Sequence, residues 1–162
     1  MIGSVLTVCT GNVCRSPMAM GLLAQALPGV LVSSAGVQAQ NGTPIDPVAV
    51  SLLRDCGIDL GGHRSRSLDV AMPERVDLIL VMEDAHRRHM ERAFPMLRGK
   101  VHRLWSEGDV PDPYRKGLPV YEEVMGLIAA SVNDWAVRIS ALRGKSRLVL
   151  PDARHVCACK WM

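Results

Sequence analysis

The chain has 162 residues, 48% of them hydrophobic and 22% charged, with a net charge of +3 at pH 7. That length suits one compact domain with a real core, and a mild positive balance with 4% aromatics lacks the basic, stacking surface of a nucleic-acid binder, so no nucleic-acid partner is expected. No apolar run reaches membrane-spanning length, the amino terminus lacks a signal peptide's basic start, and five cysteines fall short of a secreted disulfide framework. The expectation is a cytoplasmic protein with no membrane insertion.

In chain order, β-rich runs alternate with helical segments, the pattern of βαβ units on a mostly parallel sheet. Ser4–Cys9 reads as the first strand and Pro17–Ala26 as a helix with Ser16 as its cap. Leu31–Ser34 is a second strand, and Asp46–Cys56 a helix stopped at Gly57. Asp77–Met82 is a continuous apolar run, as in a strand covered on both faces. Asp84–Leu97 reads as a charged helix, with His86-Arg87-Arg88-His89 as its solvated face, and Lys100–Leu104 as a fourth strand. Ser106–Leu118, rich in Gly, Pro and Asp, has the composition of a functional loop. Val120–Leu142 carries one apolar helical stripe. The expected division is a domain over 1–143 and a poorly ordered tail over 144–162.

The segment from Cys9 to Pro17, Cys-Thr-Gly-Asn-Val-Cys-Arg-Ser-Pro, carries the chemistry. A cysteine ends a buried strand, a short loop follows, and an arginine stands just before a helix. Such a loop turns consecutive backbone N–H groups inward and adds the positive end of the helix, a natural cradle for a tetrahedral dianion. In that field a thiolate at Cys9 is favoured over the thiol, as a nucleophile requires. Arg15 offers a planar fork for two phosphate oxygens. Gly11 permits close backbone approach, and Asn12 tolerates the left-handed conformation. Ser16 can donate its hydroxyl to the Cys9 sulfur. A bare Cys-x5-Arg is weak by itself; strand before, helix after and Gly-Asn within make it specific.

This stretch resembles the signature loop of low-molecular-weight protein tyrosine phosphatases. The likeness continues through Ser33-Ser34-Ala35-Gly36, His63-Arg64-Ser65-Arg66, Leu78–Glu83 and Asp109–Lys116. It implies an α/β, flavodoxin-like three-layer sandwich: a four-stranded parallel sheet with the phosphate loop between the first strand and first helix. It implies phosphotyrosine hydrolysis through a phosphocysteine intermediate, with Cys9 and Arg15 catalytic. Thr10, Gly11, Asn12, Val13, Cys14 and Ser16 would surround the phosphate. In Pro111-Asp112-Pro113-Tyr114 the resemblance makes Asp112 the general acid, and later the base for water, with Tyr114 lining the cleft. Without that context Asp112 would read as an Asx-Pro turn, and Asp109 as a solvated loop residue. Asn12, Ser34 and His63 match positions that brace the loop by hydrogen bonds. Cys14 is a candidate partner for a reversible disulfide with Cys9.

The cleft wall after Gly36, Val37-Gln38-Ala39-Gln40, lacks the aromatic residue of animal members and resembles bacterial ones. Those act on tyrosine autokinases that control capsule or exopolysaccharide export, which makes such a kinase the expected partner of a monomer or weak dimer. Of the rivals, thioredoxin-coupled arsenate reductases need two further cysteines on a mobile segment, and Leu80–Met90 has none. Protein-arginine phosphatases carry threonine where Val13 stands. A non-catalytic phosphate-binding module would not need Cys9, Arg15 and Asp112 together. No metal or other cofactor is expected; His155, Cys157 and Cys159 in the tail offer three soft ligands without a clear fourth.

Overall fold

The structure, a computed structural model, describes residues 1–144, so the expected tail from 145 onward and its His155, Cys157 and Cys159 lie outside the described residues. Four parallel strands, β1 (Ser4–Cys9), β2 (Leu31–Gly36), β3 (Leu78–Val81) and β4 (Val101–Arg103), form one sheet in the order β2-β1-β3-β4. The order reverses direction at β1, so the crevice at the carboxyl ends of β1 and β3 is where this α/β topology places a ligand.

Helices α1 (Arg15–Ala26), α2 (Pro47–Asp55) and α4 (Leu118–Leu142) pack on one face, and α3 (Asp84–Ala93) with the 3-10 turn Pro95–Leu97 lies along β3 and β4 on the other. The larger core gathers Val5, Met18, Leu22, Leu53, Leu80, Met125 and Ile128; the smaller gathers Leu6, Val8, Ile79, Val81, Met90 and Leu97. Alternate residues of β1 and β3 thus feed opposite layers, as period-two strands between two helical layers must. The three-layer α/β expectation holds.

Three local readings are corrected. The first helix begins at Arg15, not Pro17: its cap position is Cys14, without a side-chain cap, and Ser16 is buried inside the first turn. Pro17 fits because the first-turn N–H groups have no intrahelical acceptor; the first such bond is Met18 N–H to Cys14 O at 3.0 Å. The charged helix ends at Ala93 rather than running to Leu97, since Pro95 lacks an N–H and drives Phe94 to φ −135°, ψ 77°. His86 is not on a solvated face: it is 4% exposed.

Candidate active site

The end of β1 delivers Cys9 to the sheet's carboxyl edge with 2% exposure. Its Sγ receives the Asn12 backbone N–H at 3.2 Å and lies 3.0 Å from Ser16 Oγ. A hydroxyl and a backbone amide thus converge on one sulfur. Asn12 adopts φ 57°, the left-handed turn that folds the loop back on the sulfur.

The Asn12 side chain knits this turn to three neighbours. Its Nδ2 donates to Ser16 Oγ and Ser34 Oγ, each at 2.9 Å, and its Oδ1 accepts the Arg66 N–H at 3.0 Å. Thr7 braces the same layer, its hydroxyl 2.9 Å from Ser16 O. Gly36 allows β2 to press against the loop: a Cβ there would stand 2.5 Å from Thr10 O and 3.0 Å from Asn12 N. His63 packs on this network only in part. Its Nε2 is buried with no hydrogen-bond partner among the described residues, and burial first, then the Arg66 and Arg64 charges, lower its pKa against the Asn12 backbone that raises it.

Arg15 is 2% exposed yet charged. Its Nη1 donates to Glu83 Oε1 at 2.5 Å and to Val110 O at 2.9 Å, and its Nη2 stands 3.6 Å from Asp112 Oδ2. Burial alone would lower the guanidinium pKa; the Glu83 hydrogen bond and the negative groups around it reverse the sign. Nε is buried with no partner among the described residues. The Nε and Nη2 edge is therefore the side of the fork left for an anion, while Nη1 is spent on holding the group in place.

Above the loop a cleft of about 300 Å³ opens. Cys9, Thr10, Gly11, Val13, Cys14 and Arg15 form its floor; Gln38, Gln40 and Thr43 form one wall; Asp112 and Tyr114 form another. Asp112 stays half exposed, and its Oδ1 accepts the Tyr114 N–H at 3.1 Å, so the Asx-turn geometry and the cleft position coexist. Its loop is tied down by Val110 N–H to Met82 O at 2.8 Å. Arg115 lies over the Tyr114 ring at 5.1 Å. Cys14 Sγ points at Asp112 Oδ1 across 3.8 Å, and burial, then the Cys9 and Asp112 charges, push its thiol up to about 12. Asp109 is outside the cleft, accepting the Asp84 N–H at 2.8 Å.

The sequence-named residues of the loop and of the acid segment thus line one cleft, with Asn12, Ser16 and Ser34 beneath it and His63 at its margin. Glu83 and His86 were missed. Glu83 stands two residues past the apolar β3 strand, and His86 three residues later, the spacing of a capping box; the Glu83 N–H donates to His86 Nδ1 at 3.2 Å and the His86 N–H to Glu83 O at 3.1 Å. Among the described residues no cluster of three or more His, Cys, Asp or Glu has metal-binding geometry.

The family model for low molecular weight phosphotyrosine protein phosphatase matches residues 4–146. The chain is 46% identical over 144 residues to the probable low molecular weight protein-tyrosine-phosphatase EpsP of Ralstonia nicotianae, covering 88% of this chain and 99% of that one. It is 41% identical over 140 residues to Etp of Escherichia coli, covering 85% and 95%. Among solved structures, the tyrosine phosphatase Wzb of Escherichia coli K30 with sulphate superposes with a TM-score of 0.82 at 34% identity, over 86% of this chain and 99% of that one. The YwlE arginine phosphatase of Geobacillus stearothermophilus gives 0.83 at 31%, over 89% and 97%. By sequence and by fold, this chain belongs to the low-molecular-weight phosphotyrosine protein phosphatase family and is a phosphatase enzyme.

Proposed function

We propose that the chain hydrolyses phosphotyrosine in two steps through a phosphocysteine on Cys9. The observation that carries this reading is the convergence on one cleft of the Cys9 sulfur, the Arg15 Nε and Nη2 edge, and the Asp112 carboxyl 3.6 Å from Nη2. In the first step the Cys9 thiolate attacks phosphorus and the bond from phosphorus to the tyrosine oxygen breaks. Asp112 gives its proton to the departing oxygen, whose conjugate acid has a pKa of about 10 and leaves poorly as an anion. Arg15 and the loop N–H groups hold the equatorial oxygens, where charge spreads in the transition state.

In the second step Asp112 takes a proton from water, the water oxygen bonds to phosphorus, and the phosphorus–sulfur bond breaks. The departing Cys9 thiolate is received by the Ser16 hydroxyl and the Asn12 N–H. The charge stabilisation comes from protein groups, so the reaction needs no cofactor. Asn12, Ser34 and, more peripherally, His63 act by holding the loop in shape; Val13 and Tyr114 bound the substrate ring.

The partner we assign is a tyrosine autokinase in a bacterial exopolysaccharide or capsule system, with the enzyme acting as a cytoplasmic monomer or weak dimer. Support comes from the polar wall of Gln38, Gln40 and Thr43 in place of an aromatic one, and from the likeness to EpsP and Wzb. Among the described residues no helix is long and apolar enough to cross a membrane. Val13 in the cleft favours tyrosine over the arginine substrate of YwlE. Acid quenching during turnover, followed by mass spectrometry, tests the mechanism. A phosphate on the peptide carrying Cys9, accumulating in Asp112→Asn with an activated aryl phosphate, is expected; phosphate on another residue would refute it. Phosphoarginine peptides cleaved faster than phosphotyrosine peptides would overturn the substrate assignment.

A further inference from the structure

His86 contributes nothing to the two steps above, yet it is 4% exposed and touches the phosphate loop. It is the third residue of α3, where its ring caps the helix: Nδ1 accepts the Glu83 N–H at 3.2 Å. An imidazole nitrogen that accepts carries no proton, so the ring proton of the neutral form sits on Nε2. Nε2 lies 2.9 Å from Thr10 Oγ1. The ring therefore donates and the Thr10 oxygen accepts. A hydroxyl has a single proton, and with His86 donating to its oxygen that proton must point elsewhere. Thr10 lines the cleft between Cys9 and Gly11.

We propose that His86 is a positioning residue, whose Nε2–H bond to Thr10 aims the Thr10 hydroxyl proton into the cleft at a phosphoryl oxygen. The proposal rests on the phosphatase reading and adds a donor to it. The chain of bonds runs from the Glu83 amide through the imidazole and the threonine to the anion, and each bond polarises the next. Glu83 takes part twice: its amide fixes the tautomer, and its carboxylate holds Arg15. A change at His86 thus reaches both the threonine donor and the support of the arginine.

The arrangement works only with a neutral ring. Protonating Nδ1 would set two N–H groups face to face and open the capping box. Burial disfavours the cation most; Glu83 and Asp109 favour it, while Arg15 and His89 oppose it, and the pKa is lowered overall. The ring thus keeps its neutral form to lower pH than a free imidazole does, and the device is lost as pH falls through that lowered pKa.

The test is aryl-phosphate turnover across pH in the full chain, for wild type, Thr10→Val, His86→Leu, the double variant, His86→Gln and Thr10→Ser. Turnover by wild type that Cys9→Ser abolishes secures the phosphatase reading first, so the two ideas fail separately. Each of Thr10→Val and His86→Leu is expected to lower kcat about tenfold with a smaller effect on KM, the loss of one hydrogen bond to a charged group. Because both act through one bond, the double variant should fall no further than the worse single one. His86→Gln, whose amide can accept from Glu83 and donate to Thr10, should recover most of kcat and flatten the acid limb of the pH profile. Thr10→Ser should recover it as well. Losses that multiply in the double variant would overturn the proposal. So would an unchanged kcat in Thr10→Val, a measurement that stands even if His86→Leu does not fold.

Discussion

Glu83 Oε1 accepts a hydrogen bond from Arg15 Nη1 at 2.5 Å, joining the residue just past β3 to the first residue of α1. The arginine is 2% exposed and the glutamate side chain 31%, so the bond fixes a buried cation from one side and leaves its other edge toward the cleft. Glu83→Ala removes the nearer of that cation's two carboxylate partners and leaves Asp112 at 3.6 Å. We expect stability to fall by about 1–3 kcal/mol and kcat/KM by at least about tenfold, read by urea unfolding and aryl-phosphate kinetics. Unchanged values in both would mean that Val110 O and Asp112 suffice to position Arg15.

Asn12 combines a φ of 57° with three side-chain hydrogen bonds. Asn12→Ala removes the bonds and puts a less tolerant residue at the left-handed position, for an expected loss of about 2–4 kcal/mol. Asn12→Gly removes the same bonds without the backbone strain and should be more stable than Asn12→Ala by about 1 kcal/mol. Equal stabilities would show that strain plays no part in the loop.

Much of this site was legible because its chemistry is local. Cys9, Asn12, Arg15 and Ser16 lie within one turn-and-helix start, so strand, loop and helix signals and the residue types pointed the same way. The sheet was legible for the same reason: β3 is an unbroken apolar run, β1 is apolar but for Ser4 and Thr7, and their parallel pairing follows from the helices between them. Glu83 and His86 were not read as parts of the site because their roles depend on register across the sheet. Val8 pairs with Val81, which sets Met82 and Glu83 at the level of Cys9 and the loop. A charged helix start then looks solvated until the strand beside it is placed. Ser16 was misread as a cap because its hydroxyl serves the sulfur at 3.0 Å rather than the helix.

His63 and His86 both have pKa values lowered chiefly by burial. In the unfolded chain each binds a proton near pH 6.5, while the folded form resists it, so the unfolded state holds more protons below that pH. Stability is therefore full above about pH 6.5 and falls as pH drops through and below it. Urea midpoints at about pH 7.5 and about pH 5.5 should show the fall, and His86→Gln with His63→Gln should reduce it. A midpoint that rises on acidification would contradict the burial of neutral rings.

Cys14 and Cys9 are both free thiols, and the Cys14 thiol is pushed up to about 12. At neutral pH it stays a thiol, a weak nucleophile toward peroxide. We expect mild peroxide to convert Cys9 to the sulfenic acid, which condenses with Cys14 to a disulfide and releases water. A dithiol then restores activity in wild type but much less in Cys14→Ser, where over-oxidation proceeds. Equal recovery in the two proteins, followed by thiol counting, would remove Cys14 from any protective role.

Cys9, Arg15 and Asp112 meet in one cleft, and metal-free aryl-phosphate hydrolysis at mildly acid pH by wild type, Cys9→Ser and Asp112→Asn separates nucleophile from acid. Wild type should turn over, Cys9→Ser should be inert while still binding vanadate, and Asp112→Asn should lose about 10²–10⁴-fold in kcat with a poor leaving group and much less with an activated one. Turnover that survives Cys9→Ser, or a loss in Asp112→Asn that ignores the leaving group, would contradict the assignment of nucleophile and acid.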